Sequence, residues 1–314
     1  MTMLVAGIRT LGGNVETFDV DDPRPLAADE VLIDVLGAGV GNWDNIIRYG
    51  GWDVGAGPPL ALGVEAAGVI KAVGNSPGGF GVGDEVLCHP VPLRDQGTWA
   101  PLLIASTGSL AKKPPEIPWE TAGIFPVPAL TAEQVVGEAL ALRGGETLLV
   151  HGAGGITGGL IVQLAALRGV DVLATAGPRS AVRVRGHGAR EVIDYRDPLW
   201  PQHARALARG SIDAVANAAP GGAAAAMTAL ADGGRLATIT PDPPASARGI
   251  SVTAVYVRSD GAQLGRLAAL LATGRLSMPA PRSCGLDRAA AALAHVVAGH
   301  EPGGVVITKE TPGS

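Results

Sequence analysis

The sequence predicts an α/β protein of two domains, a small, partly open β-barrel and a doubly wound parallel sheet. Three observations carry this. The apolar run Leu148, Leu149, Val150 passes into a glycine-rich turn, and an apolar helical stretch follows to about residue 167. Beyond it, strand-like and helix-like segments alternate, the pattern of a parallel sheet covered on both faces. Before it, alternating strands are broken by Gly and Pro clusters at 55–59, 77–83 and 114–118. That punctuation fits a small barrel with long loops. With 314 residues the chain has room for about two ordinary domains.

Taken in order, residues 1 to about 122 are β-rich. Residues 31–36 alternate apolar and polar as a half-buried strand does, and 65–73 read as another. A helix starting at Pro118 carries residues 121–125, and 131–141 are a second helical stretch leading to the opening strand. Further strands are expected at 170–175, 191–194, 212–216 and 235–239, and 250–257 is a strongly β-prone run. Helices at about 260–273 and 287–298 precede a last strand at 305–308. The alanine run at 223–226 reads as the buried side of a packed helix.

Composition narrows the function classes. A 47% hydrophobic share supports a sizeable core, and 17% charged residues argues against disorder. A net charge of −5 disfavours nucleic acid or an anionic membrane surface as partner. No apolar run reaches the roughly 18 residues that span a bilayer. The first residues lack a basic region followed by an apolar core, so no signal peptide is expected and a cytoplasmic protein is. With only Cys88 and Cys284, neither a disulfide framework nor a cysteine zinc site is expected.

The glycine turn has a physical reading. Gly152, Gly155 and Gly158, with Ile156 and Thr157 between the last two, recur at every third position. A strand, such a turn and a helix in that order form the first unit of a dinucleotide-binding fold. There the chain must reverse tightly, come close to a pyrophosphate and pack its helix hard on the strand; each need removes a side chain. The spacing departs from G-x-G-x-x-G, so the context carries the reading. An NAD site places an acid about twenty residues on, at the end of the second strand. Here residues 174–180 read Ala-Thr-Ala-Gly-Pro-Arg-Ser, and Asp171 comes too early. Thr175, Arg179 and Ser180 can instead receive a 2′-phosphate, with Arg183 in reserve, which favours NADPH. The alternative for Arg179 is a solvated loop charge.

Six stretches carry a resemblance: 39–44 (Gly-Val-Gly-Asn-Trp-Asp), 59–70 (Pro-Leu-Ala-Leu-Gly-Val-Glu-Ala-Ala-Gly-Val-Ile), 82–86 (Val-Gly-Asp-Glu-Val), 125–132, the glycine turn and 192–195. Together they resemble the medium-chain dehydrogenase/reductase superfamily, in its zinc-independent quinone oxidoreductase-like branch. The resemblance implies a GroES-like catalytic barrel from 1–122 and 259–314, and a Rossmann cofactor domain at 123–258. Zinc-dependent relatives place ligands where this chain has Gly41, Val64 and Val127, none of which can coordinate a metal. The four-cysteine lobe of those relatives is also missing. No metal is expected.

The implied chemistry is hydride transfer from NADPH to the β-carbon of a quinone or enone, followed by protonation of the enolate. On the loop after the 31–36 strand, Asn42 can hydrogen-bond the substrate carbonyl and Tyr49 can donate a proton. Trp43, Asn45 and Trp52 are expected to line the pocket, with barrel packing as the alternative for Trp43, Tyr49 and Trp52. Asp44 reads as a local cap, and His89 and His151 as structural. By resemblance Tyr195 lies beside the adenosine end, while Thr131 and Asn217 either contact the cofactor or cap locally. Relatives often carry Gly-Lys where this chain has Gly303 and Gly304. They also pair the strand at 250–257 across a two-fold axis, which implies a homodimer. Two other functions fit the same sequence: a non-catalytic NADPH-binding protein, and an enoyl reductase of secondary metabolism.

Overall fold

The structure is a computed structural model and describes residues 1–299 and 303–309. In chain order the elements begin β1 Thr2–Ile8, β2 Glu16–Asp21, β3 Glu30–Val40, α1 Asn42–Arg48, β4 Leu60–Ala61, β5 Ala66–Val73, β6 Glu85–Cys88, β7 Leu102–Ser106, β8 Leu110–Lys112 and α2 Trp119–Gly123. They continue through α3 Pro126–Glu133, β9 Thr147–His151, α4 Ile156–Leu167, β10 Asp171–Thr175, α5 Pro178–Gly186, β11 Glu191–Ile193, α6 Trp200–Leu207, β12 Ala214–Asn217, α7 Ala223–Ala229, β13 Arg235–Thr238 and β14 Ser251–Ala254. The last are α8 Gly261–Ala272, β15 Arg282–Cys284, α9 Ala289–Ala298 and β16 Val305–Thr308. Two units divide them: Met1–Val127 with Arg258–Arg275 and Pro279–Ser314, and Pro128–Val257 with Leu276–Met278. The first change of unit, between Val127 and Pro128, falls inside α3, a little after residue 122; the helix expected through Phe125 ends at Gly123, and α3 starts afresh at Pro126.

The first unit is organised by β3. Val31, Ile33 and Val35 are buried while Leu32, Asp34 and Leu36 are partly open, the alternation of a strand with one core face. Each buried side chain contributes roughly 1.5–3 kcal/mol. One edge of β3 pairs with β7 near its start and β16 near its end, and the other edge pairs with β5. Register shifts between Leu32 and Ile33 and between Val35 and Gly37 mark irregularities in the β3–β5 ladder; such bulges bend a strand and help a sheet curl. Among the described residues, a seven-stranded sheet and a three-stranded sheet (β2-β1-β4) make up the barrel.

The second unit is a parallel sheet in the order β11-β10-β9-β12-β13-β14. Its central strands read as continuous apolar runs because helices cover both faces; Leu148, Leu149, Val150 and Leu173 are fully buried. Two expected elements differ. The helix expected at 131–141 starts earlier, as α3, and continues as a wider π-type winding over Gln134–Ala139, with Leu140 N–H donating to Val135 O. The strand expected over 250–257 is only Ser251–Ala254. Its partner β13 stops at Thr238, and Val255 N–H to Thr238 O is the last bond the ladder can make. β14 lies at the sheet's edge. Among the described residues no helix is long and apolar enough to cross a membrane.

Candidate functional site

In the second unit the glycines do what the turn requires. Gly152 sits at φ +89°, and a Cβ there would lie 2.9 Å from the Ala218 carbonyl carbon. At Gly158 a Cβ would stand 2.3 Å from Gly152 O, so only glycine lets α4 start against the turn. Gly155 is the N-cap of α4 and offers no side chain to the first N–H groups. Those groups and the positive dipole end, at Ile156 and Thr157, are left for an anion. This cradle fits the pyrophosphate of a dinucleotide.

At the end of β10 the structure corrects one sequence expectation. Thr175 is fully buried and cannot receive a phosphate. Its hydroxyl accepts from Gly152 N–H at 3.1 Å and bonds His151 Nδ1 at 2.7 Å, which ties the turn to the sheet. Arg183 reaches the turn instead, its Nη2 donating to Gly154 O at 2.7 Å. Its Nη1 is buried and has no partner among the described residues. Burial holds the Arg183 guanidinium below its ordinary pKa. Ser180 Oγ lies 3.2 Å from the Cβ position of Gly154, and Arg179 is exposed nearby. The Tyr195 ring lies 3.5 Å from the Cβ position of Gly177, the N-cap of α5. These residues gather where an adenosine ribose would lie in such a fold.

Asn217 is fully buried; its Nδ2 donates to the hydroxyls of Thr238 and Thr240 at 2.9 Å each. That network joins the ends of β12 and β13. Thr131 is buried on α3. His151 stacks on Trp200 at 4.3 Å, and burial pushes its pKa down to about 4, so it is neutral and structural.

In the first unit, Asp44 caps α1: its carboxylate accepts from Gly41 N–H at 2.8 Å and Gly63 N–H at 3.2 Å. It is fully buried, and burial pushes its pKa up to about 7 despite both bonds. The Trp43 indole lies over Gly41 so closely that a Cβ there would stand 2.0 Å from a ring carbon. A metal-binding side chain at 41 has no room beside it. Asn42 is exposed and Asn45 is half-buried on the same helix. Tyr49 stands further out, 61% exposed, with the Arg48 guanidinium 5.0 Å over its ring. Trp52 is half-buried, with its ring 6.1 Å from that of His89. His89 is buried and bonds Val64 O at 2.6 Å through Nδ1; a carbonyl only accepts, so that nitrogen carries the proton.

Sequence reasoning passed over Glu65. It is buried, and its Oε2 accepts from Val127 N–H at 2.8 Å. Burial, and then the nearby Asp44 charge, raise its pKa well above the carboxylate range. The three positions 41, 64 and 127 are therefore braced by Asp44, His89 and Glu65, with no ligand chemistry at any of them. Glu65 lies inside the 59–70 stretch; a lone acid among eleven apolar or glycine residues is the available signal. Among the described residues no group of three His, Cys, Asp or Glu side chains could hold a metal ion. Gly304 O accepts from Arg282 N–H, so the Gly303-Gly304 pair serves to join β15 to β16.

Comparison with known proteins agrees with both halves. Family models match an alcohol dehydrogenase GroES-like domain over residues 27–115 and a zinc-binding dehydrogenase over residues 187–307. The second segment contains none of positions 41, 64 and 127. The mouse quinone oxidoreductase is 31% identical over 180 residues, 57% of this chain and 53% of that protein. The Pseudomonas aeruginosa quinone oxidoreductase is 32% identical over 185 residues, 58% and 56% of the two chains. Erythronolide synthase EryA2 of Saccharopolyspora erythraea is 32% identical over 204 residues, 64% of this chain but 6% of the synthase. The matched part thus spans about half, or much less, of these curated relatives. Among solved structures, an NAD-dependent alcohol dehydrogenase superposes with a TM-score of 0.84 at 27% identity, covering 99% of this chain and 100% of that one. The Coxiella burnetii quinone oxidoreductase has the same fold, with a TM-score of 0.84 at 21% identity and the same coverage. The chain is a medium-chain dehydrogenase/reductase of the quinone oxidoreductase-like branch, with a GroES-like domain and a nucleotide-binding domain.

Proposed function

We propose that this chain is an NADPH-dependent reductase that acts on a quinone or an α,β-unsaturated carbonyl without zinc. The observation that carries the cofactor half is the cationic end of β10. No acid stands there to take a ribose 2′-hydroxyl, while Arg183 reaches Gly154 with one guanidinium nitrogen unpartnered and Arg179 and Ser180 lie beside it. Guanidinium matches phosphate in charge and geometry. The metal-free half rests on Gly41, Val64 and Val127, with the Trp43 indole over the first. The substrate class rests on the relatives that are quinone oxidoreductases.

When bound, NADPH supplies the hydride. The chain's own groups bind and orient. Gly152, Gly155 and Gly158 with the start of α4 hold the pyrophosphate, Tyr195 flanks the adenosine, and Thr131 and Asn217 support the cofactor from behind. Asn42 offers its amide to the substrate carbonyl and to the charge that develops there. Tyr49 supplies the proton, and Trp43, Asn45 and Trp52 form the walls. The same proposal pairs β14 with its copy in a second chain. The match to a polyketide-type synthase favours a second reading of this chemistry, an enoyl reductase of secondary metabolism.

Titration of NADPH and NADH against the purified chain tests the cofactor claim. NADPH binds more tightly, and Arg179→Ala or Arg183→Ala narrows the preference by about ten-fold, the effect of losing one charged hydrogen bond. Equal affinities for the two cofactors in the unmodified chain contradict it.

A further inference from the structure

In the first unit an apolar patch lies open to solvent where the turn between β1 and β2 meets α1. Gly13 N–H closes that turn by donating to Thr10 O at 3.0 Å, and Leu11 stands at its tip, 60% exposed. The turn is fastened to the end of the helix from both sides. Gly12 N–H donates to Arg48 O at 2.8 Å, and Arg48 Nε donates back to Gly13 O at 2.6 Å. This brings Leu11 and the exposed Tyr49 side by side. A Cβ at Gly50 would stand 3.3 Å from Leu11 Cδ1, and one at Gly12 would stand 3.7 Å from the Tyr49 ring. Single exposed apolar side chains are ordinary. Two large ones, set together on a pinned backbone, make a surface suited to an apolar ligand.

The helix identifies the ligand. Asp44 and Ile47 are its buried residues, which leaves Asn42, Asn45 and Tyr49 along the opposite face, at steps of three and four residues. The patch therefore continues the face that carries Asn42, the group proposed to meet the substrate carbonyl. From Asn42 to its end at Arg48 the helix advances about 10 Å. Leu11 meets the chain just beyond, at Gly50. We infer that Leu11 is a specificity-determining residue: with the Tyr49 ring it forms an outer apolar subsite for the far end of a hydrocarbon tail on the quinone or enone. This rests on the reaction and on the role of Asn42 proposed above. The preferred acceptor then carries a tail of about 10 Å. A compact acceptor leaves the subsite empty, and each methylene that the subsite takes from water raises kcat/KM about four-fold.

The test measures kcat/KM with NADPH for methyl vinyl ketone and for octyl vinyl ketone, whose tail spans that distance. It compares the unmodified chain with Leu11→Asn. The unmodified chain prefers the octyl ketone by about ten-fold or more, and Leu11→Asn narrows that ratio by about ten-fold through the KM of the octyl ketone. Leu11 is exposed, so the variant folds, and an unchanged melting temperature checks this. Equal kcat/KM for the two ketones in the unmodified chain overturns the inference while leaving the proposed reaction standing. So does a ratio that Leu11→Asn leaves as it was, whether or not both values fall together. Turnover of quinones but of neither ketone likewise overturns the inference alone. If no acceptor at all is turned over, the proposed reaction fails, and this inference with it.

Discussion

Thr175 and Glu65 show how single buried groups govern the two units. Thr175 holds the Gly152 N–H and the His151 ring through one hydroxyl. Thr175→Val leaves both without that partner, and an orphaned buried polar group costs about 1–3 kcal/mol. The expected result is a lower melting temperature, with Thr175→Ser close to the unmodified chain; a neutral valine variant would contradict the assignment. Glu65 and Asp44 give a pH signature. Both have folded pKa values above their unfolded ones, so their contribution is full below about pH 4 and is lost as pH rises, through about 7 for Asp44. His151 acts in the opposite sense, because its depressed pKa adds stability as pH rises towards 6.5. Glu30, held down to about 2 chiefly by its hydrogen bonds to Arg24, is ionised folded and unfolded alike above about pH 5. Above about pH 6.5 the histidine no longer compensates, and stability falls, through about 7 for Asp44 and beyond it for Glu65. Glu65→Gln keeps an acceptor for Val127 N–H and flattens that fall. Melting curves at several pH values decide, and parallel slopes in the two proteins would count against the buried acid.

Among the elements, β14 bears on assembly. Ser251 and Val255 donate their N–H groups inward, to Gly234 O and Thr238 O of the same sheet. Alternation along a strand turns the N–H groups of Val252 and Ala254 outward, where an unpaired edge invites a second strand. Proline lacks that donor. Ala254→Pro therefore dissociates the proposed dimer without breaking the β13–β14 ladder, whereas Val255→Pro damages the sheet itself. Sedimentation of the unmodified chain at micromolar concentration shows about twice 31.5 kDa, and a species at 31.5 kDa rules out a stable dimer. The same strand marks the limit of sequence reading. Its β-prone residues run on to 257, but a strand lasts only as long as its neighbour, and β13 ends at Thr238. Periodicity found β3 and the parallel strands because their burial is set locally, by alternation or by continuous apolar runs. It also found the glycine turn, whose constraints lie in a few adjacent residues. The roles of Thr175, Arg183 and Glu65 are not legible in the sequence, because their partners at His151 and Gly152, Gly154 and Val127 lie far away along the chain.

For the whole molecule, the fold and the family leave the reaction to the side chains that fill the two units. A glycine and two valines, their backbone held by Asp44, His89 and Glu65, stand where a metal-dependent relative would need ligands. The cationic end of β10 stands where an acid would read an unphosphorylated ribose. The joint claim, reduction of quinones or enones by NADPH without a metal, is tested most directly by one assay. The purified chain, dialysed against a chelator and checked by elemental analysis, is mixed with NADPH and a panel of quinones and conjugated enones, and cofactor absorbance is followed. The account predicts NADPH consumption with at least one acceptor, undiminished by the chelator, and no stoichiometric zinc. Activity that disappears on chelation and returns with zinc, or tight NADPH binding with no consumption across the panel, would contradict it.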